Sequence, residues 1–222
     1  MPNYNMRMPN RNKQNKVYLN KMPNSSPITQ KSINSVPLIM LTNNKSLNNL
    51  IRTMHIRLLQ EASLRKDGHK YDEVGILMEL VEPYNCIKVY GEVNPSTGIS
   101  SIDPKSSDFV NYIGKHTKNQ LLFMHNHPNN SCFSYGDLYN FIVTDEIFTI
   151  TAVGNSHGVH SMWKKRDFNS SVASKYLYET IQRLRLSYPN ENIKKINSYA
   201  ALQVISNADK INIGYRYSES RK

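Results

Sequence analysis

Sustained hydrophobic order along the chain begins at Ser46. Leu47, Leu50, Ile51, Met54 and Leu58 recur at i, i+3, i+4 and i+7 spacing, which predicts an amphipathic helix to about Leu64. Lys66-Asp67-Gly68 supplies its stop. Two strand-like runs follow, Glu73–Leu80 (EVGILMEL) and Cys86–Val93 (CIKVYGEV), joined through Glu82-Pro83-Tyr84-Asn85 as a hairpin. Asn94–Gly98 (NPSTG) reads as a turn. Ser107–His116 predicts a second helix, capped by Ser106 or Ser107 and carrying Asp108 in its first turn. Leu121–Met124 is a short buried strand that runs directly into His125, and a third helix is predicted from near Ser134 to about Asp145. Phe148–Val153 and Val159–Trp163 read as strands around the turn Gly154-Asn155. From Asn169 onward there are two helical patterns broken at Pro189, the first built on Tyr176, Leu177, Ile181 and Leu184. Alternation of helices and strands predicts an α/β (α+β) fold, a mixed sheet flanked by helices with extra C-terminal helices.

Composition divides the chain. Residues 1–45 are rich in Asn, Lys, Arg and Pro, and repeat Met-Pro-Asn at Met1, Met8 and Met22. Their few apolar residues keep no period, so this tail is expected to be disordered. The main domain is then 46–168, and 169–222 is a helical C-terminal extension. Seven Lys/Arg and no acid fall in residues 1–50, twelve basic against thirteen acidic in 51–168, and nine against four in 169–222. Weak contact with nucleic acid, or with another acidic partner, therefore belongs to the two basic ends, where solubilising charge is an equal reading. No apolar run approaches the ~20 residues of a membrane span. Val36–Leu41 (VPLIML) is too short and too late for a secretory leader, so a cytoplasmic protein is expected. Cys86 and Cys132 are too few for a disulfide framework and read as free thiols, Cys132 standing close enough to a histidine pair to be weighed as a stray ligand.

Candidate chemistry concentrates in LLFMHNHPNNSCFSYGDL, residues 121–138. Residues two apart on a strand project to one side, so His125 and His127 aim both imidazoles at one point, and Pro128 ends the strand. Asp137, in the first turn of the next helix, is the best-placed third ligand. Two imidazoles and one carboxylate leave a tetrahedral position open, the pattern of a catalytic zinc site with one Zn2+ per chain. Ser134-x-x-Asp137 is equally an ordinary helix cap, and the two roles are compatible. The other histidines, His55, His69, His116, His157 and His160, have no partner at metal spacing, His157 and His160 being read as surface residues. Trp163 is expected in the core or at the rim.

The run HNHP followed by FSYGDL resembles the JAMM/MPN (JAB) zinc metallopeptidases, over roughly residues 46–168, in the style of bacterial and phage members. Six residues separate His127 from Ser134, one fewer than in the commonest form of that motif. The resemblance implies a zinc peptidase or isopeptidase acting on a protein or peptide, in this family often at the C-terminus of a ubiquitin-like protein. It implies metal ligands at His125, His127 and Asp137, an oxyanion-binding hydroxyl at Ser134 and a catalytic Glu near the first strand. Asp72-Glu73-Val-Gly-Ile-Leu77 resembles the corresponding run, which makes Glu73 the preferred base, with Glu92 and Glu79 as rivals. Two other functions remain open: a non-catalytic MPN-type scaffold or binding module, and a phage- or mobile-element-associated protein whose basic ends contact nucleic acid.

Overall fold

The computed structural model describes residues 27–219, apart from 65, 68–69, 72, 95–98, 129–130 and 156–157. Its frame is a six-stranded mixed sheet. In chain order the helices are α1 (Gln30–Asn34), α2 (Lys45–Leu64), α3 (Ser107–Ile113), α4 (Tyr135–Val143), α5 (Ser170–Ser187) and α6 (Ile193–Ser206). The strands are β1 (Lys66–Asp67), β2 (Lys70–Tyr71), β3 (Val74–Glu79), β4 (Cys86–Tyr90), β5 (Glu92–Asn94), β6 (Ile99–Ser101), β7 (Leu121–His127), β8 (Ile147–Gly154), β9 (Gly158–Lys164) and β10 (Ile213–Glu219). The sheet runs β10-β9-β8-β7-β3-β4, while β1-β2 and β5-β6 are separate two-stranded ribbons. Only β7 and β8 are parallel, with α4 as their crossover; the other neighbours in the sheet are antiparallel.

Every residue of β7 is buried, as expected for a central strand covered on both faces. Its even-numbered side chains Leu122 and Met124 pack with Leu47, Ile51, Leu58 and Leu59 of α2. The odd-numbered Leu121 and Phe123 join Leu138, Phe141 and Ile142 of α4 in the other core. His125 and His127 continue that odd row and therefore emerge on the α4 face. The neighbours across from them are small: Gly75 on β3 and Ala152 on β8 flank His125, and Gly154 pairs with His127. This leaves room for two imidazoles inside a sheet that is otherwise tightly filled.

Two boundaries differ from the sequence expectation. Order begins well before residue 46: Ile33, Val36 and Ile39 are buried against α2, and Arg52 Nε donates to the Val36 carbonyl at 2.8 Å. Each such fully buried side chain contributes about 1.5–3 kcal/mol, enough to hold a short non-periodic strap that a composition average over the tail conceals. Residues 1–26 of the expected tail lie outside the described residues. The segment 169–222 is also not purely helical, because β10 pairs along the length of β9 and completes the sheet. It belongs to the same core, through Ala173, Leu177, Ala201 and Ile213. Among the described residues no helix is long and apolar enough to cross a membrane.

Candidate metal centre

Three elements converge at the C-terminal end of β7. The strand delivers His125 and His127. The N-terminus of α4 delivers Asp137. Glu73 arrives on the residue before β3, whose register sets Gly75 beside His125. The imidazole Nε2 atoms of His125 and His127 lie 2.8 Å apart. Asp137 Oδ1 is 3.4 Å from His125 Nε2, and its Oδ2 is 3.3 Å from His127 Nε2. An ion held tetrahedrally at zinc–ligand bond lengths separates its donors by about 3.3–3.4 Å. The carboxylate distances match that figure. The nitrogen pair is tighter, and two such nitrogens need a proton or a cation between them.

Glu73 Oε1 is 3.8 Å from His127 Nε2, somewhat farther out than Asp137. Glu73, His125 and His127 each bring a ligand atom within 4.8 Å of the others, so this group could hold a metal ion. With Asp137 in contact with both rings, the cluster offers two imidazoles and two carboxylates. The opposite ring nitrogen of His127 fits ligation too. Its Nδ1 lies 2.9 Å from the Ser131 carbonyl, which can only accept, so Nδ1 carries a proton and Nε2 is the ring atom left to face a metal ion. Phe123 stacks on His125 with ring centroids 5.0 Å apart and restricts its rotation.

The electrostatics favour positive charge here. Burial alone disfavours a charged His127, yet the hydrogen bond and charge of Asp137, with Glu73 beyond, push its pKa up to about 9. Burial likewise opposes the Asp137 carboxylate, but His125 and His127 hold it well below the usual range. Glu73 is moved the other way: burial raises its carboxyl, against the pull of the two histidines. Its Oε2 accepts from the Ile102 amide at 3.0 Å, which fixes the carboxylate plane.

Ser134 is the N-cap of α4. Its Oγ accepts from the Asp137 amide at 3.1 Å, while Asp137 Oδ2 accepts from the Ser134 amide at 2.7 Å. The capping box therefore aims the Asp137 carboxylate at the histidines, so capping and facing the cluster are one arrangement. The rival glutamates stand elsewhere. Glu79 accepts from His116 Nε2 at 3.0 Å and from Asn85 Nδ2 at 3.1 Å, tying the segment after α3 to the β3–β4 turn. Glu92 is exposed at the start of β5.

No family model matches the chain, and no curated protein or solved structure matches it either.

Three buried polar residues beside it were not singled out by the sequence. Asn126, between the two histidines, points to the α2 face, where its Oδ1 accepts from the Val74 amide at 2.7 Å. It thereby joins the end of β7 to the residue after Glu73. His160 is buried on β9, contrary to the surface role expected for it, with Nδ1 2.8 Å from the Tyr215 hydroxyl of β10. The alternation Ile213, Tyr215, Tyr217 was the available signal for that strand. His55 is buried in α2 and bridges the Ile51 carbonyl (2.9 Å) and Thr151 Oγ1 (2.8 Å), so it is structural. His69 and His157 lie outside the described residues. Cys132 is buried, and burial pushes its thiol up to about 12, so it stays protonated and is a poor ligand. Trp163 lies over Gly214, where a Cβ would come within 2.1 Å of its ring.

Proposed function

We propose that this protein is a zinc-dependent hydrolase that cleaves a peptide or isopeptide bond, in the manner of the JAMM/MPN metallopeptidases it resembles in sequence. The observation that carries the reading is a cavity of about 30 Å3 at the cluster, whose lining includes Glu73, His125 and Asp137 together with the apolar Ile102, Phe109 and Phe141. A cavity of that size has room for about two water molecules. It lies against candidate ligands and against Glu73, whose carboxyl is raised by burial. The imidazole content and the near-tetrahedral donor spacing favour zinc over hard, oxygen-seeking cations.

A divalent ion bound by His125, His127 and Asp137 would supply Lewis acidity, easing deprotonation of water and polarising the scissile carbonyl. Glu73 Oε1, held at the cavity wall, takes a proton from the water as its oxygen forms the bond to the carbonyl carbon. As the C–N bond breaks, the same carboxyl returns that proton to the departing amine. The apolar wall excludes bulk water and strengthens these charge interactions. The Ser134 hydroxyl uses a lone pair for its cap, which leaves its own proton available to a developing oxyanion.

Cleavage of a panel of peptide and ubiquitin-like isopeptide substrates tests the reading, with wild type beside Glu73→Gln and His127→Ala. Glu73→Gln should keep zinc and lose turnover by at least about a hundredfold, as removal of a general base does; His127→Ala should lose both. Turnover unchanged in Glu73→Gln would overturn the assignment of the base, and zinc-loaded wild type inert on the whole panel would overturn the hydrolase.

A further inference from the structure

We infer that Tyr215, on the C-terminal strand β10, is a positioning residue for the metal centre: with His160 it braces the loop that carries Ser131 and Ser134 and leads into the helix bearing Asp137. The inference rests on the metal-site reading above and extends it to a strand outside the segment whose sequence suggested that reading.

The sheet register brings these residues together. His125, Ala152, His160 and Tyr217 form one row across β7, β8, β9 and β10, with side chains on the α4 face. Ala152 leaves a gap in that row, and Phe133 enters it from the loop, its ring centroid 6.3 Å from His125 and 6.3 Å from His160. In the adjacent row Tyr215 stands two residues before Tyr217. Its hydroxyl reaches His160 Nδ1 at 2.8 Å and Cys132 Sγ at 3.7 Å. With the thiol protonated, the run reads Cys132 S–H to the Tyr215 oxygen, then Tyr215 O–H to His160 Nδ1. Tyr217 also lies against His160, with ring centroids 4.7 Å apart and the planes tilted by 32°.

Among the described residues of this loop Cys132 and Phe133 are buried, and they stand between Ser131 and Ser134. Ser131 upstream accepts from His127 Nδ1, and Ser134 downstream caps the helix that aims Asp137. Each has few degrees of freedom once Cys132 and Phe133 are fixed. The Tyr215 hydroxyl is a polar contact that reaches this loop from β10, and its hydrogen bond to His160 holds it there. Loss of the hydroxyl therefore loosens a first ligand and the partner of a second, with the phenyl ring still packed in the core.

Tyr215→Phe is the test, with Arg216→Ala as control. Arg216 lies on the same strand but donates from Nη1 to the Met40 carbonyl on the opposite face, 3.0 Å away. Three readouts are taken: metal affinity by chelator competition, the d–d spectrum of the cobalt-substituted protein, and amide hydrogen exchange at residues 131–137 in metal-free protein. Tyr215→Phe should weaken metal affinity by about tenfold, the low end for a supporting residue. It should shift the cobalt bands and speed exchange at 131–137, while Arg216→Ala leaves all three unchanged. Unchanged affinity, spectrum and exchange in Tyr215→Phe would overturn the inference, as would equal effects in Arg216→Ala, which would mean a general loosening of β10. If wild type takes up no metal at all, the site reading itself fails and this inference falls with it; if wild type binds and Tyr215→Phe binds equally, only the inference falls.

Discussion

Asp137 carries two roles that a pair of substitutions can separate. Its carboxylate faces both histidines at 3.3 and 3.4 Å, and it also accepts from the Ser134 amide at 2.7 Å. Asp137→Asn keeps an oxygen that can accept from Ser134, and the Asp137 amide still donates to Ser134 Oγ, so the capping box survives. Asp137 is the N3 partner of that box, so the stability lost is that of one negative charge in the first turn of the helix, about 0.3–1 kcal/mol. The metal is affected differently. A neutral amide oxygen replaces an anionic ligand, and the charge that most favours a cation beside His127 is gone. Supporting residues one shell out typically cost ten- to a hundredfold in affinity, so a direct ligand should cost at least about a hundredfold. Ser134→Ala is the converse. It removes the acceptor for the Asp137 amide and should destabilise by about 1 kcal/mol, yet Asp137 Oδ2 still accepts from the backbone amide of residue 134, so affinity should fall by less than about tenfold. Urea unfolding of metal-free protein and zinc titration of both variants give the four numbers needed. The account is wrong about Asp137 if Asp137→Asn binds zinc as wild type does, or if Ser134→Ala is the more damaging of the two to affinity.

Other expectations follow from buried groups nearby. Burial lowers His55 to about 4, so above its unfolded pKa near 6.5 it costs nothing to keep neutral, while below that the unfolded chain takes up a proton the native state refuses. Metal-free wild type should therefore lose about 3 kcal/mol more than His55→Leu between pH 6.5 and 4, and parallel urea-derived stability curves would contradict this. Gly75→Ala would set a Cβ 2.7 Å from Ile102 Cδ1 and 2.8 Å from both Phe123 Cε2 and Val89 Cγ2. Overpacking of this kind costs about 1–3 kcal/mol, and because Phe123 stacks on His125 the thermal midpoint and metal affinity should drop together. Asn126→Ala orphans the Val74 amide and should cost about 1–3 kcal/mol in unfolding free energy; it should also lower kcat, since it frees the strand that presents Glu73.

The legible parts of the site were those fixed by short-range geometry. HxH on a strand puts two imidazoles on one side whatever the fold, and Ser134-x-x-Asp137 sets a helix start by local hydrogen bonding alone. Glu73 was different, because its approach depends on β3 pairing antiparallel to β7 with Gly75 opposite His125, and no local pattern announces that register. The resemblance to a family motif was what selected it over Glu79 and Glu92. The strap of Ile33, Val36 and Ile39 was missed because single apolar residues in a polar, Asn-rich stretch have no period, although a hydrophobic face of α2 was waiting for them. β10 was missed because Gly214 and Arg216 alternate with its apolar residues only briefly, and Gly214 is there to admit the Trp163 ring rather than to favour a strand. His160 looked like a surface residue for the same reason: what buries it is β10.

The most direct test of the central claim is the zinc content of purified protein after zinc loading and exhaustive dialysis, with wild type and His127→Ala measured side by side. Wild type should retain one zinc per chain and His127→Ala almost none. Wild type that retains no zinc, or a variant that retains as much as wild type, would contradict it.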